Sequence, residues 1–243
     1  MHDPRNAAAF SAAEDDVFAR IAGRYDRLCD VFSLRIHRLW KSHMAARIAD
    51  HAAGRILDVA SGTGDIPLRV LRRLRHRTGE IEHLIVSDLC PEMLAIARDK
   101  LSGTAANLEF ALLDAHDLAD VPSGSIDVYS ISFAMKICDR ERVLAEAMRV
   151  LKPGGRFLCL EAARIPATPI HRAYLAYMDW CLPLIGRLAA DGDASAYAYL
   201  LRGIHEVPSQ DALAAELQDC GFSDVRYDNL TLGIVAMHVG RKP

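Results

Sequence analysis

The chain has 243 residues, 51% of them apolar and 25% charged, which suits one or at most two folded domains and excludes disordered and fibrous classes. Lys and Arg number 29 against 32 Asp and Glu, and a net charge of -3 argues against a nucleic-acid backbone as the main partner. The six cysteines, at 29, 90, 138, 159, 181 and 220, form no C-x-x-C pair and no zinc spacing, so they read as reduced thiols of a cytosolic protein.

Residues 1–13 are polar and Ala-rich, with no apolar stretch of the secretory type. From Glu14 to Asp50 the apolar positions Phe18, Ile21, Tyr25 and Leu28, then Leu39, Met44 and Ile48, recur at helical spacing and predict two helices broken near Ser33. The period then changes. Strands are expected at 55–60, 82–87, 108–112, 126–132 and 156–161, alternating with helices after Gly64, from Pro91 and over 140–151, the last stopped by Pro153-Gly154-Gly155. Such alternation specifies an open parallel α/β sheet with right-handed crossovers. Two further strands, 222–227 and 232–238, are joined by the short connection Asp228–Thr231 and read as an antiparallel hairpin, making seven strands in all. Between the fifth strand and Gln210 lies a helical insertion over about 168–207, expected to sit as a lid over the carboxyl edge of the sheet. Its Tyr174, Tyr177, Trp180 and Leu184 stripe reads either as core or as the lining of a channel for an isoprenoid tail. The longest apolar stretch, Trp180 to Gly186, is too short to cross a bilayer. The chain is expected to form one domain over 14–243: N-terminal helices 14–50, a core of 55–165 and 208–243, and the lid.

The strongest local signal is Leu57-Asp58-Val59-Ala60-Ser61-Gly62-Thr63-Gly64-Asp65, a strand ending in a carboxylate and a Gly-x-Gly turn opening the next helix. Glycine lets the backbone take positive φ or approach a ligand closely, although a purely structural turn has the same form. The dinucleotide pattern G-x-G-x-x-G fails at Pro67, and the phosphate loop G-x-x-x-x-G-K-[ST] is absent. The second strand is followed by Asp88, able to accept the ribose hydroxyls of a nucleoside or to serve as a helix cap, and the third by Asp114-Ala115, placed to accept from an adenine amine.

Asp58, Gly62 with Gly64, Asp88 and Asp114, in strand order, together resemble the class I S-adenosyl-L-methionine methyltransferases, as does Leu151-Lys152-Pro153-Gly154-Gly155. The likeness is narrower still. Tyr25-Asp26, Phe32-Ser33, His37 and Trp40 resemble the N-terminal signature of the ubiquinone/menaquinone biosynthesis C-methyltransferases. Arg149–Gly155 through Glu161 resembles their second signature, and Asn229–His238 their terminal hairpin. This resemblance covers about residues 17–243 and implies a Rossmann-like fold with S-adenosyl-L-methionine as cofactor. It places cofactor contacts at Asp58, Gly62, Asp88, Asp114 and Ser132, with Thr63, Gly64, Leu89 and Ala115 beside them, and the acceptor near Tyr25, His37, Trp40 and Tyr177.

The chain departs from the family at Leu28-Cys29, where a Met-Asn pair is usual, and at Ala163, where a Ser is usual. It departs again at Ala134-Met135-Lys136-Ile137, which replaces Gly-[Leu/Ile]-Arg-Asn beside the acceptor. Lys136 is therefore the expected catalytic residue, either taking the ring hydroxyl's proton or holding the phenolate as a cation. The implied reaction is C-methylation of a prenylated benzoquinol or naphthoquinol. Two alternatives are a paralogue methylating another aromatic or lipid acceptor and a non-catalytic cofactor-binding subunit of a quinone-making complex. No metal ligand cluster is seen, and no nucleic-acid partner is expected. A cytoplasmic location follows, with peripheral contact at the inner membrane face and a homodimer left open.

Overall fold

The computed structural model describes residues 12–51, 54–75, 82–104, 107–165, 168–189 and 207–243. The N-terminal segment forms three helices where two were expected: α1 (Ala12–Ile21), α2 (Tyr25–Phe32) and α3 (His37–Ala49). A 3-10 turn over Ala22–Arg24 separates the first two, and the break near Ser33 is as predicted. There Leu34 and Arg35 take φ of 48° and 66°, while the Ser33 hydroxyl donates to the Cys29 carbonyl at 2.7 Å and ends α2.

The sheet follows with β1 (Arg55–Val59), α4 (Asp65–Leu74), β2 (His83–Asp88), α5 (Pro91–Leu101), β3 (Leu108–Leu112) and β4 (Ile126–Ser132). Then come α6 (Arg140–Val150), β5 (Leu151–Ala162), α7 (Thr168–Ala189), α8 (Gln210–Asp219), β6 (Ser223–Leu230) and β7 (Val235–Arg241). Strand order is β3-β2-β1-β4-β5-β7-β6; the first five pair in parallel and β7 runs antiparallel to both β5 and β6. The order reverses between β1 and β4, the topological switch point where open α/β sheets bind ligands beyond their strand ends.

Two expected boundaries move. β5 starts at Leu151 rather than Arg156, because Pro153-Gly154-Gly155 forms an irregularity inside the strand: the pairing with β4 jumps from Ile126↔Leu151 to Val128↔Arg156. Gly154 has φ 81°, and a Cβ on Gly155 would lie 2.8 Å from the Lys152 carbonyl oxygen, so both positions need glycine. In the hairpin the turn sits at Thr231–Ile234 rather than Asp228–Thr231, since Asn229 and Leu230 still pair with Ala236 and Val235. Helix α7 supplies the first part of the expected lid; the remainder, 190–206, and the side chain of Leu184 lie outside the described residues.

Successive strand residues face opposite sides of the sheet, so each strand feeds two cores. Leu57, Val59, Tyr129 and Phe157 pack with α6 (Val143, Ala147) and α8 (Leu213, Leu217). Ile56, Val128 and Leu158 pack with α3 (Met44, Ile48), α4 (Val70) and α5 (Ala97, Leu101). A third, smaller cluster joins α1, α2 and α7 through Val17, Ile21, Leu28 and Met178, a cap beside the carboxyl edge. Among the described residues no helix is long and apolar enough to cross a membrane, and no cluster of three metal-ligating side chains occurs. Cys29, Cys90, Cys138, Cys159 and Cys220 are free thiols, and the side chain of Cys181 lies outside the described residues.

Candidate active site

At the end of β1 the Asp58 carboxylate is buried and accepts from the hydroxyls of Ser61 (2.6 Å) and Ser130 (2.5 Å). It braces the start of the glycine turn against β4 and is not among the residues that line the larger cavity. Burial pushes its carboxyl up from 3.8 to about 6, with the two serine hydroxyls pulling the other way. Because the folded value lies above the unfolded one, the folded chain holds this proton more tightly. The group stabilises the fold most below pH 4, and that contribution is lost as pH rises through 6. The difference corresponds to at most about 3 kcal/mol. Asp58→Asn removes the titration, so the variant's melting temperature is expected to gain on wild type between pH 4 and pH 6.5, read from a thermal denaturation series.

A cavity of ≈ 660 Å³ opens beyond the ends of β1, β2, β3 and β4. Gly62, Asp88, Leu89, Asp114, Ala115 and Ser132 all line it, so the topology brings together most of the residues that the sequence nominated. Asp88 accepts from the Gly62 amide at 2.7 Å through one oxygen and from the Cys90 amide at 2.9 Å through the other. It thus bridges the glycine turn to the start of α5, and burial pushes its carboxyl up while those amide bonds oppose the shift. Asp114 accepts from the His116 ring at 2.6 Å and from the His116 amide at 2.9 Å, both on Oδ1. His116 Nε2 accepts from the Asp139 amide at 3.0 Å, which puts the ring proton on Nδ1, facing Asp114.

Thr63 and Gly64 do not line this cavity. The Thr63 hydroxyl donates to Asp26 at 2.6 Å, across to α2. Gly64, with φ 75°, lies against α5, where a Cβ would come within 3.0 Å of the Ala97 Cβ and 3.2 Å of its Cα. Gly62, with φ 55°, has nothing within 4 Å of the Cβ position. The two glycines therefore separate experimentally. Gly64→Ala is expected to lower the melting temperature through the clash with α5. Gly62→Ala, carrying only the backbone strain of about 1–2 kcal/mol, is expected to weaken cofactor binding more than it weakens the fold. Calorimetry and thermal melts on both variants check this pair.

A second, largely apolar cavity of ≈ 300 Å³ lies between the cap and the sheet. Tyr25, His37, Trp40, Tyr177 and Lys136, all nominated from the sequence, line it. So do Phe18, Ile21 and Leu28, the helical stripe whose residues also pack in the third cluster. Trp40 donates its indole N–H to the Thr231 hydroxyl at 2.8 Å, which fixes the ring, and its centroid is 6.4 Å from that of Phe133. Burial holds the His37 imidazole down at about 4, so it is neutral at pH 7, and its Nδ1 sits 2.6 Å from the Ser33 hydroxyl. The neighbouring Cys29 thiol and burial keep the Tyr25 hydroxyl protonated well above the usual tyrosine range. Lys136 is 7% exposed at its side chain and pairs at 3.1 Å with Glu161, which is 2% exposed; its ammonium also donates to the Phe133 carbonyl. Trp180, 73% exposed, lies outside the cavity lining, so the predicted lid stripe is only partly a wall: Tyr174 and Tyr177 of the stripe line it, joined by Met178.

Phe18, Tyr25, Phe133 and Ile137 line both cavities, so the two spaces share one wall. Sequence reasoning missed Phe18, His116 and Phe133 as wall residues. The one local signal was the stretch after β4, in which residues 132–134, 137 and 138 all face the larger cavity.

Comparison with known proteins agrees with this geometry. The profile of the ubiE/COQ5 methyltransferase family matches residues 8–242. The chain is 37% identical over 239 residues to the mitochondrial 2-methoxy-6-polyprenyl-1,4-benzoquinol methylase of Schizosaccharomyces pombe, covering 93% of this chain and 78% of that one. It is 38% identical over 233 residues to the ubiquinone/menaquinone biosynthesis C-methyltransferase UbiE of Brucella anthropi, covering 94% and 86%. Among solved structures, a SAM-dependent methyltransferase from Thermotoga maritima shares the fold with a TM-score of 0.61 at 17% identity, over 94% of this chain and 99% of that one. Another, from Aquifex aeolicus, gives 0.54 at 16% identity over the whole of both chains. With a family profile spanning nearly its whole length on a methyltransferase sheet, the chain belongs to the ubiE/COQ5 methyltransferase family.

Proposed function

We propose that residues 14–243 act as one methyltransferase domain, transferring a methyl group from S-adenosyl-L-methionine to a ring carbon of a prenylated benzoquinol or naphthoquinol. The observation that carries this reading is the shared wall: a cavity lined by the carboxylates of Asp88, Glu92 and Asp114 meets a largely apolar cavity at Phe18, Tyr25, Phe133 and Ile137. The larger cavity fits the cofactor, since the space at the Gly62 Cβ position leaves room for close approach beside the Asp88 carboxylate. Asp88 would accept from the ribose hydroxyls and Asp114 from the adenine amine, with Leu89, Ala115 and Ser132 as flanking walls. Asp58, Thr63 and Gly64 support the turn from behind. When bound, the cofactor supplies an already activated sulfonium methyl, so the protein's task is chiefly to orient the acceptor carbon.

For the acceptor, Trp40, Phe133 and Tyr177 offer ring faces and apolar bulk for a prenylated ring. Loss of the ring hydroxyl's proton puts negative charge on the oxygen and electron density on the ortho carbon. Lys136, held in place by Glu161, lines this cavity together with Lys41 and is the cation assigned to that oxygen. Leu34 and Leu232, 73% and 71% exposed and placed at or next to the apolar cavity's lining, support peripheral contact with a membrane surface from which such an acceptor is drawn. The proposed location is the cytoplasm, at the inner membrane face.

Incubating the protein with the cofactor and a demethyl quinol is expected to yield a product heavier by one methyl group on a ring carbon, read by mass spectrometry. A strain lacking the gene should accumulate the demethyl quinone. Cofactor binding without any methylated product, on either ring type, would favour the non-catalytic subunit.

A further inference from the structure

Helices α1 and α2 wall both cavities through Phe18 and Tyr25, and an ion-paired cluster at the residue next to Tyr25 links α2 to the glycine turn. Asp26 accepts from the Thr63 hydroxyl at 2.6 Å on Oδ1 and from the Lys100 ammonium at 2.6 Å on Oδ2. Lys100 also donates to the Thr63 hydroxyl oxygen at 3.0 Å and lies 3.6 Å from Asp65. Asp65 in turn pairs with Lys41 of α3 at 3.0 Å. One cluster therefore ties α2, α3, α4 and α5 to the glycine turn. Thr63 stands between Gly62 and Gly64, is 2% exposed, and uses its single proton on Asp26 while accepting from Lys100.

Neither Asp26 nor Lys100 lines the two large cavities; both border a small polar hollow on the far side of the turn, with Asp30, Arg38 and Arg69. That hollow mixes carboxylates and guanidiniums and is itself internally paired, Asp30 with Arg38 at 2.5 Å and Asp65 with Arg69 at 3.8 Å. The Asp26 side chain is 42% exposed, so its ion pair is screened and adds little to global stability. Its reach to Thr63 instead links the position of Tyr25 to the shape of the turn.

We propose that Asp26 is a positioning residue: by clasping Thr63 and Lys100 it sets the glycine turn and the Tyr25 wall together, so that cofactor affinity and acceptor binding are coupled through one contact. This rests on the cofactor reading above, and the experiments keep the two apart. Asp26→Ala is expected to raise the cofactor Kd about 10-fold by calorimetry, the scale of one lost hydrogen bond to a charged group. The acceptor KM should rise by a similar factor, while kcat at saturation and the melting temperature change far less. Thr63→Val should do the same, and the double variant should be no worse than either single one, as members of one contact are non-additive. Asp26→Asn, which keeps an acceptor for the Thr63 hydroxyl, should recover part of the loss. Limited trypsin digestion gives a readout free of any ligand: cleavage after Arg20, Arg24 or Arg27 should be faster in Asp26→Ala and in Lys100→Met than in wild type. A melting shift with unchanged Kd, unchanged acceptor KM and unchanged cleavage would overturn the proposal, as would additive effects in the double variant. Should wild type bind no cofactor, the functional reading fails while the digestion still decides on the clasp.

Discussion

Lys136→Met is expected to lower kcat for quinol methylation by about 10²-fold or more, the scale of losing a residue that manages the reacting proton or its charge, with cofactor affinity nearly unchanged. The reason lies in the site's construction. Glu161 holds the Lys136 side chain at 3.1 Å and accepts from the Lys136 amide at 3.2 Å and the Ala162 amide at 2.7 Å, so the ammonium has one fixed place at the edge of the apolar cavity. A fixed cation there stabilises a phenolate where water is scarce, whereas methionine of similar bulk offers none. The Glu161 pairing supports an electrostatic role, for which Lys136→Arg should keep part of the rate. Removing the lysine also strands a buried carboxylate, at a cost of about 3–5 kcal/mol in stability. The double variant Lys136→Met with Glu161→Gln should therefore recover melting temperature without recovering rate. Wild-type turnover by Lys136→Met would remove this residue from the mechanism.

Asp88→Ala is expected to weaken S-adenosyl-L-methionine binding by roughly 10- to 100-fold, since a charged acceptor to a buried ligand contributes about 1.5–3 kcal/mol. The structure adds a second cause of loss. The same carboxylate takes the Gly62 amide at 2.7 Å and the Cys90 amide at 2.9 Å, so alanine also frees the turn from α5. Asp88→Asn keeps one acceptor oxygen and the side chain's volume, and should fall between wild type and alanine. Unchanged affinity by calorimetry in a variant with wild-type circular dichroism would mean that Asp88 does not meet the cofactor.

What the sequence by itself determined is what short stretches of chain encode. The period-two and helical patterns placed β3 at Leu108–Leu112 and β4 at Ile126–Ser132, and put Asp88 at the end of one strand and Asp114 just beyond another. Residues at strand ends gather at one edge of any parallel sheet, so Asp88, Asp114 and Gly62 meet in one cavity without further information. Which of several adjacent residues faces that cavity was decided only by the tertiary structure. Asp58 turns to Ser130 of β4, Thr63 to Asp26 of α2 and Gly64 to Ala97 of α5, each partner supplied by a distant segment. The same holds for Lys136, whose partner Glu161 is brought beside it by the parallel pairing of β4 with β5, and for the stripe Phe18, Ile21, Tyr25 and Leu28. Periodicity marks that stripe as apolar on one face, but a packed core and a cavity wall demand the same residues, and only the placement of α7 and the sheet opposite leaves the space between them.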